Sequence, residues 1–414
     1  MSRRSPSHRG LTLTIQHLVV VGASLAGLRA VESARRVGYE GPITLIGAER
    51  HLPYDRPPLS KEFLQSTHPP LPTLHRSEEH FRADLKVDLR LGTRATALDT
   101  EASLVALDSG DEVPYTALVI ATGVDARRLP GTGHLAGVHE LRTLDDACAI
   151  RSALDAGARN VVVVGAGFIG SEVAAAIGQR GLSVTILEAG AVPLARAVGE
   201  QMGAVCARIH QRYGTELRCG VGVEAVEGES EVRAVRLTDG TVLDADLVIV
   251  GIGGAPATDW LTGSGLDLDN GVVCDEMLAT GAPGVYAAGD VARWTNPVFA
   301  QQMRLEHWTT SAEQGAAAAR NALAPDAAKP FATVPYFWSD WYKHRLQFVG
   351  LPTADEVRVV RGNPDSETFL ALYRRGTRIT GALGLDQRKL VLRLRSMIGA
   401  RATWSEALEF VAQA

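Results

Sequence analysis

The sequence predicts an α/β fold with two doubly wound domains, one inserted in the other, followed by a smaller α+β domain. A strand, a glycine turn and a helical pattern occur in that order twice, beginning at residues 17–27 and 160–170. A further strand that ends in glycine, residues 284–290, follows both copies. Past about residue 330, aromatic and alternating stretches replace this pattern, which indicates a different kind of domain.

The composition is that of an ordinary globular protein. The chain has 414 residues, 46% hydrophobic and 21% charged, and its formal net charge is −5. At roughly 100–200 residues per domain, this length predicts two to four domains. No apolar run approaches the ~20 residues that cross a bilayer, and no long basic stripe suggests nucleic acid. Residues 1–16 are basic but too short and polar for a signal peptide, so we expect a flexible tail and a cytoplasmic protein.

The first copy begins with a continuous apolar strand, which is typical of a parallel strand buried on both faces. The turn that follows, residues 22–27, directs backbone N–H groups and a helix dipole at one point, where a diphosphate binds. Ser24 occupies the position of the second glycine, and its hydroxyl can donate to a phosphate oxygen. Gly47 and Ala48 precede Glu49 at the end of the next strand, so the acid expected there is displaced.

The second copy is complete. Gly165, Gly167 and Gly170 have the G-x-G-x-x-G spacing, in which the second glycine admits a pyrophosphate. Glu188 ends the next strand, where a carboxylate accepts from both ribose hydroxyls and repels a 2′-phosphate. This favours NAD(H) over NADP(H), although the nearby Arg196 is a residue type that holds a 2′-phosphate. Both copies therefore predict Rossmann-like dinucleotide-binding domains.

Strands that end in glycine close each unit, over residues 117–123 and 247–253. The segment 284–290 has no unit of its own to complete, so we expect it to return to the first sheet. The predicted domains are 17–123 with 254–328, an inserted domain over 124–253, and a C-terminal α+β domain over 329–414 whose last helix begins at about 403.

Together these residues resemble the NADH-dependent ferredoxin reductases that serve oxygenases, and the resemblance spans nearly the whole chain. Its most distinctive piece is Pro-Tyr-Asp-Arg-Pro-Pro-Leu-Ser-Lys over residues 53–61. Residues 121–123 and 280–290 are similar to the broader superfamily of flavoproteins that bind two dinucleotides. The resemblance implies FAD in the first domain and NADH in the second.

The predicted cofactor-binding residues combine the two turns with positions that the resemblance implies. It implies that Asp290 meets the ribityl chain, that Arg127 and Ala95 contact FAD, and that Trp308 lies by the isoalloxazine. The full FAD set is Gly22, Ser24, Leu25, Ala26, Gly27, Glu49, Arg56, Lys61, Ala95, Ala121, Thr122, Gly123, Arg127, Gly289, Asp290 and Trp308. The NAD set is Gly165, Gly167, Phe168, Ile169, Gly170, Glu172, Glu188, Arg196 and Gly253.

The catalytic residues predicted are Lys61, Glu172 and Trp308, with Lys61 and Glu172 paired near flavin N5, as the resemblance implies. Ser60 is a suitable N-cap, which places Lys61 in the first turn of the next helix. A lysine there favours negative charge on the flavin, and the glutamate keeps the ammonium in place. Solvated helix-end charges and a core aromatic are the ordinary alternatives for these three residues.

The cysteine pattern excludes a thiol relay. The four cysteines, Cys148, Cys206, Cys219 and Cys274, form no CxxC pair, and none stands where disulfide-reducing relatives have CxxxxC. No histidine has metal-ligand spacing, so we predict no metal site. Electrons from NADH must then leave the flavin singly. The resemblance implies a small acidic [2Fe–2S] ferredoxin as the acceptor, feeding an oxygenase such as a cytochrome P450 or a Rieske dioxygenase.

Two cationic stretches are candidates for ferredoxin docking. One holds Lys343 and Arg345, and the other, free of acids, holds Arg388, Lys389, Arg393, Arg395 and Arg401. A solvated helix face fits the second stretch equally well. Two further functions stay open: an NADH-sensing flavoprotein of the apoptosis-inducing factor type, and a reductase for rubredoxin or nitrite reductase.

Overall fold

Five parallel strands form the first sheet of the computed structural model, which describes residues 15–66, 68 and 70–414. In spatial order the strands are Val285–Ala287, Ala117–Ile120, Leu18–Val21, Ile43–Gly47 and Val87–Leu91. Every residue of the first four is buried, as the apolar runs predict. The strand Val285–Ala287 pairs in parallel with Ala117–Ile120, so the third glycine-ending segment does return to this sheet.

The second sheet also has five parallel strands. Their spatial order is Glu216–Cys219, Ser183–Glu188, Asn160–Val164, Leu247–Val250 and Val138–Glu140. All five lie in sequence between two neighbouring strands of the first sheet, which confirms that one α/β unit is inserted in the other. The exact domain boundaries stay a prediction.

Smaller antiparallel and mixed sheets complete the two α/β units. A two-stranded ribbon pairs Val124–Ala126 with Gly254–Pro256, where the chain leaves the first unit and returns to it. Three three-stranded sheets are formed by Ala95–Asp99, Leu104–Leu107 and Glu112–Pro114; by Val223–Glu227, Ala234–Leu237 and Val242–Asp244; and by Val272–Cys274, Ala292–Asn296 and Gln301–Met303.

The C-terminal sheet is antiparallel, in the order Tyr336–Trp341, His344–Gly350, Arg378–Leu385, Phe369–Arg375 and Glu356–Gly362. Its two faces bury different partners. One face packs against the last two helices of the chain, and the other packs against the long helix of the inserted unit. The predicted α+β domain is therefore joined to the inserted unit by a hydrophobic core.

The helices are α1 (Leu25–Arg36), α2 (Glu62–Gln65), α3 (Leu144–Asp155), α4 (Phe168–Gly178), α5 (Ala195–Arg212), α6 (Trp308–Leu323), α7 (Arg388–Gly399) and α8 (Trp404–Gln413). The Thr403 side chain caps α8, close to the predicted start. The prediction that Ser60 caps a helix is wrong, because Pro57–Ser60 forms a short 3-10 turn and Lys61 takes the N-cap position of α2. Within the described residues, none of these helices has the length and apolar character that crossing a membrane requires.

The predicted tail over residues 1–16 lies outside the described residues up to position 14. Ile15 packs against the core of the first unit. The backbone amides of Gln16 and His17 both donate to Thr116 Oγ1, each at 2.8 Å. Residues 15 and 16, which the prediction assigned to the tail, therefore contact the first unit.

Candidate functional site

A cavity of about 930 Å³ is lined by residues that follow the carboxyl ends of strands in both parallel sheets. This edge of a doubly wound sheet is where dinucleotides bind. The cavity is near the upper end of the range of about 300–1,000 Å³ that small-molecule sites have. Its size and position fit extended ligands that reach from one sheet to the other.

Most of the predicted site residues lie on the wall of this cavity. They are Ser24, Leu25, Ala26, Arg56, Lys61, Ala121, Gly123, Gly165, Gly167, Phe168, Ile169, Glu172, Glu188, Arg196, Gly253, Gly289, Asp290 and Trp308. The residues that do not line it are Gly22, Gly27, Glu49, Ala95, Thr122, Arg127 and Gly170.

Several of those remaining residues have other contacts. The Thr122 hydroxyl donates to the carbonyl of Ala257 at 2.9 Å, and Arg127 Nε donates to the carbonyl of Gly254 at 3.2 Å. Ala95 is buried at the start of a strand in one of the small sheets. The contacts of Arg127 and Ala95 with FAD therefore stay predictions.

The second glycine turn has room for a diphosphate. A Cβ on Gly165, whose φ is +100°, would lie 2.4 Å from the carbonyl oxygen of Gly251, so this turn needs glycine. A Cβ on Gly167 would meet nothing closer than 3.9 Å, so the space beside it is open. Gly167 is also the N-cap of α4 and offers no side chain to the first amides of that helix. Those amides stay available to an anion.

Glu188 is half-buried in the cavity wall and is fixed by two backbone amides. Its Oε2 accepts from Ala166 N at 2.9 Å, and its Oε1 accepts from Gly190 N at 2.8 Å. Arg196, in the first turn of α5, lines the same cavity. The carboxylate is therefore oriented as the predicted ribose acceptor requires, with lone pairs remaining on both oxygens.

Glu49 has a different environment. It forms an ion pair with Arg56, and its Oε2 accepts from the Tyr54 hydroxyl at 2.6 Å. Arg56 also donates to the carbonyl of Arg142 at 2.5 Å, and Arg142 in turn pairs with Asp290 at 3.0 Å. Burial raises the pKa of Tyr54, so its hydroxyl keeps its proton. Tyr54 and Arg142, which the sequence did not single out, join Glu49 to the cavity wall.

Lys61 and Glu172 form a buried ion pair, with 15% and 4% of their side chains exposed. Lys61 Nζ donates to Glu172 Oε2 at 2.6 Å and to the carbonyl of Pro57 at 3.0 Å. The Ser60 hydroxyl donates to the same Oε2 at 2.5 Å. The Ser339 hydroxyl donates to Oε1 at 2.6 Å. Segments from all three parts of the chain thus meet at one carboxylate, as a buried charge requires.

Trp308 is the first residue of α6 and is fixed by a polar contact as well as by packing. Its indole N–H donates to Asp55 Oδ1 at 2.7 Å. Its ring lies edge-on to that of Trp338, with the centroids 6.1 Å apart. Trp338, which no sequence motif marks, also lines the cavity.

His307 brings an unpartnered polar atom to the cavity. Burial lowers its pKa to about 4, so the imidazole is neutral near pH 7. Among the described residues, its buried Nδ1 has no hydrogen-bond partner. The imidazole lies 5.3 Å from the ring of Phe337, measured between centroids. A buried nitrogen without a partner at a cavity wall fits a polar group of a bound ligand.

Over the residues that the structure describes, neither a thiol pair nor a metal site accompanies these groups. All four cysteines are free, and none lines the cavity. Burial raises the pKa of Cys206 and of Cys274 to about 12, as expected for inert core thiols. In the described part of the chain, no three His, Cys, Asp or Glu side chains are grouped to hold a metal ion.

Comparison with known proteins identifies the family. Residues 16–315 match the family described as pyridine nucleotide-disulphide oxidoreductase, and residues 336–409 match the one described as reductase C-terminal. The ferredoxin–NAD(+) reductase component of an anthranilate 1,2-dioxygenase system from Burkholderia cepacia is 39% identical, covering 93% of this chain and 94% of the relative. Rhodocoxin reductase from Rhodococcus erythropolis is 36% identical, covering 89% and 86%.

Solved structures agree with this assignment. The covalent putidaredoxin reductase–putidaredoxin complex matches with a TM-score of 0.88 at 32% identity, covering 93% of each chain. The ferredoxin reductase for the CYP199A2 system from Rhodopseudomonas palustris matches with a TM-score of 0.89 at 33% identity, covering 94% of this chain and 95% of that one.

The cavity fits the cofactors of this family, FAD and NAD(H). The open space at Gly167, the oriented carboxylate of Glu188 and the unpartnered nitrogen of His307 are all sites for polar groups of a nucleotide or a flavin. The chain belongs to the pyridine nucleotide-disulphide oxidoreductase family and, within it, to the FAD-dependent ferredoxin–NAD(+) reductases of oxygenase systems.

Proposed function

We propose that this protein oxidises NADH and delivers its electrons singly to a small acidic [2Fe–2S] ferredoxin that serves an oxygenase in the cytoplasm. FAD, when bound, accepts two electrons from NADH as a hydride and releases them one at a time. The observation that best supports the proposal is a single cavity that holds both glycine turns and the Lys61–Glu172 pair but none of the four cysteines. Without a thiol pair, the electrons need an acceptor outside the protein.

The two turns would hold the two nucleotides at opposite parts of the cavity. At the second turn, the first amides of α4 would hold the NADH diphosphate, and Glu188 would accept from the ribose hydroxyls. At the first turn, Ser24, Arg56 and Asp290 line the cavity and would contact FAD. The nicotinamide and the flavin ring would then meet between the sheets, near Lys61.

The Lys61–Glu172 pair would supply a fixed positive charge at that meeting point. The three donors that surround the Glu172 carboxylate restrict its movement. Lys61 also donates to the carbonyl of Pro57, so two acceptors restrict the position of its ammonium. A positive charge that is already in place would stabilise the negative charge that the flavin gains on reduction. The protein would then not need to reorganise during the reaction.

Some of the cations predicted for ferredoxin docking already have partners within the protein. Lys343 pairs with Glu367 and Arg345 pairs with Asp340, each at 2.6 Å. Arg395 donates to the carbonyl of Val334 at 2.9 Å. These three side chains are therefore less available to a partner than isolated cations.

Arg388, Lys389 and Arg393 are exposed on α7 and, among the described residues, have no ion pair or hydrogen bond. Two of them stand at the N-terminus of the helix, where the dipole disfavours positive charge. Leu385, the last residue of the strand before α7, pairs with Leu346, and Leu346 pairs with Ser339. The exposed cations of α7, Arg388, Lys389 and Arg393, thus follow a strand that is two strands from the one carrying Trp338. We propose these three residues as the ferredoxin docking surface.

Reduction of a panel of [2Fe–2S] ferredoxins by the purified protein with NADH tests the function. We expect bound flavin in the absorption spectrum and rapid bleaching of at least one ferredoxin. A flavin–nicotinamide complex that persists for minutes and that no carrier oxidises would instead support the NADH-sensing alternative. Reduction of rubredoxin alone would support the neighbouring reductase function.

Charge reversal tests the docking surface. Arg388→Glu with Lys389→Glu should lower the ferredoxin association rate by about tenfold at low salt, because steering by a charged patch raises association rates by 10-fold or more. NADH-to-dye activity should stay unchanged. The matched control is Lys343→Glu with Arg345→Glu, which alters cations that already have acidic partners and should have a smaller effect. Equal ferredoxin kinetics in the first variant and in wild type would exclude this surface.

A further inference from the structure

Ser339 occupies an unusual position beneath the cavity. It is fully buried in the first strand of the C-terminal sheet and does not line the cavity. Its hydroxyl donates to Glu172 Oε1 at 2.6 Å and accepts from the indole N–H of Trp341 at 2.8 Å. Because a hydroxyl has a single hydrogen and the indole can only donate, the Ser339 proton is directed at the carboxylate.

We propose that Ser339, oriented by Trp341, is a positioning residue that holds the Glu172 carboxylate against Lys61. The proposal rests on the proposed function, since it assigns Ser339 to electron transfer from NADH. Ser60 and Lys61 both donate to Oε2, whereas Ser339 is the one donor found for Oε1 within the described residues. Without Ser339, the carboxylate loses the contact that fixes its second oxygen and is free to rotate away from Lys61.

Trp341 is itself held on its far side. Its ring stacks on that of His210 in α5, with centroids 4.6 Å apart and an angle of 26° between the planes. His210 Nδ1 lies 2.9 Å from the Tyr342 hydroxyl, which donates to Thr215 Oγ1 at 2.7 Å. The orientation of Ser339 is therefore set by packing between the C-terminal sheet and the inserted unit, through residues that do not line the cavity.

The first test is Ser339→Ala, measured by stopped-flow reduction of the bound FAD by NADH. We expect the limiting rate constant to fall about 10- to 100-fold, since displacing a positioned group by about 1 Å has effects of this size. The dissociation constant for NADH should stay the same, because Ser339 does not touch the cavity. Ser339→Thr keeps the hydroxyl and should restore the rate.

Two controls match the changes. Ser171→Ala removes the hydroxyl of another fully buried serine, which precedes Glu172 in the chain. The Ser171 Oγ has no partner among the described residues. Trp341→Phe should slow reduction less than Ser339→Ala does. Its control, Trp294→Phe, removes the N–H of a second fully buried tryptophan, which donates to the carbonyl of Phe331 instead. Both controls should reduce FAD at the wild-type rate.

A double-mutant cycle separates positioning from general damage to the fold. If Ser339 acts through Glu172, Ser339→Ala should have no further effect once Glu172→Gln is present. The same slowing in both backgrounds would overturn the proposal. So would an unchanged rate constant in Ser339→Ala, or a weaker affinity for NADH with no change in the limiting rate.

The reduction potential of the bound FAD gives a readout that needs neither NADH nor a ferredoxin. Equilibration with redox dyes should show a more positive potential in Ser339→Ala, because the Lys61 charge is less offset, and no further shift in the double variant. A wild-type potential in Ser339→Ala would overturn the inference. Failure to reduce any ferredoxin would contradict only the proposed function, since the potential measurement uses no ferredoxin.

Discussion

The two glycine turns open on the same cavity but present different groups to it. At the second turn, Gly167 leaves an open space and Glu188 is held by backbone amides alone. At the first turn, Ser24 stands in the matching position and accepts from Arg56 Nε at 3.3 Å. Glu49, the acid nearest the matching position, is bound to Arg56 and Tyr54. A carboxylate near the end of the second strand thus lines the cavity on backbone amides in one copy and belongs to a network of side chains in the other.

The largest effect is expected from Gly167→Leu. Gly167 has φ −76° and open space beside it, so the backbone accepts a side chain, which would fill the diphosphate position. Affinity for NADH should fall at least about 100-fold, as expected when several amide-to-phosphate bonds of about 1.5–3 kcal/mol each are lost. Bound FAD and the melting temperature should stay as in wild type. Isothermal titration with NADH measures this, and unchanged affinity would contradict the assignment of the second turn.

Glu188→Ala should have the next largest effect. Losing charge-assisted bonds of about 1.5–3 kcal/mol to a ribose corresponds to roughly 10- to 100-fold weaker NADH binding. NADPH should lose much less, because removal of the carboxylate also removes its repulsion of the 2′-phosphate, and Arg196 lines the same cavity. Steady-state KM values for both nucleotides decide the matter. An equal loss for the two nucleotides would remove Glu188 from the specificity site.

Glu49→Gln tests whether Glu49, unlike Glu188, stabilises the fold and does not bind a nucleotide. The amide keeps a hydrogen-bond partner for Tyr54 but leaves Arg56 without its anionic partner. We expect a loss of about 1 kcal/mol or less in unfolding free energy, since both side chains are partly exposed, and at most a few-fold change in FAD affinity. Thermal unfolding and flavin release report on these two quantities. A loss of FAD affinity as large as the NADH loss in Glu188→Ala would make the two acids equivalent.

Ser24→Gly should have the smallest effect, because it makes the first turn resemble the second. Ser24 is the N-cap of α1 but its side chain makes no capping bond, so glycine should change helix stability by only a few tenths of a kcal/mol. FAD affinity should change less than about threefold, because the loss of one neutral hydrogen bond at the lower end of its usual range, about 0.5 kcal/mol, corresponds to about twofold. Fluorescence of released flavin during dilution provides the measurement. Complete loss of FAD would show that the hydroxyl is essential to phosphate binding.

The sequence predicts the fold correctly where the pattern that indicates an element lies within the element itself. Apolar runs and glycine spacing gave both parallel sheets, and the segment 284–290 gave the return to the first sheet. The contact between Lys61 and Glu172 followed only from the family resemblance, since 111 residues separate them. Ser339 lies 167 residues from Glu172, and nothing in its neighbourhood marks it as a partner of that carboxylate.

The wrong assignment at Ser60 has the same origin. Its residue type suits a helix N-cap, but the preceding proline pair forms a 3-10 turn and a buried carboxylate takes its hydroxyl. A local preference of about 1 kcal/mol is easily exceeded by the need to satisfy a buried charge. The sequence does not mark Trp338 as a cavity residue, because an aromatic side chain in an alternating strand fits a core position equally well.

The ribbon of Val124–Ala126 and Gly254–Pro256 marks where the inserted unit interrupts the first. This interruption affects the order in which the two units can fold as the chain is synthesised. The strand Ala117–Ile120 emerges from the ribosome long before its outer neighbour, Val285–Ala287. The sheet of the inserted unit has all its strands once residue 250 has emerged, whereas the first sheet still has an open edge at that time. Because domains fold as units during synthesis, the second unit to be started is the first that can be finished. The growing chain must therefore protect an unpaired, fully apolar strand edge until its last strand arrives.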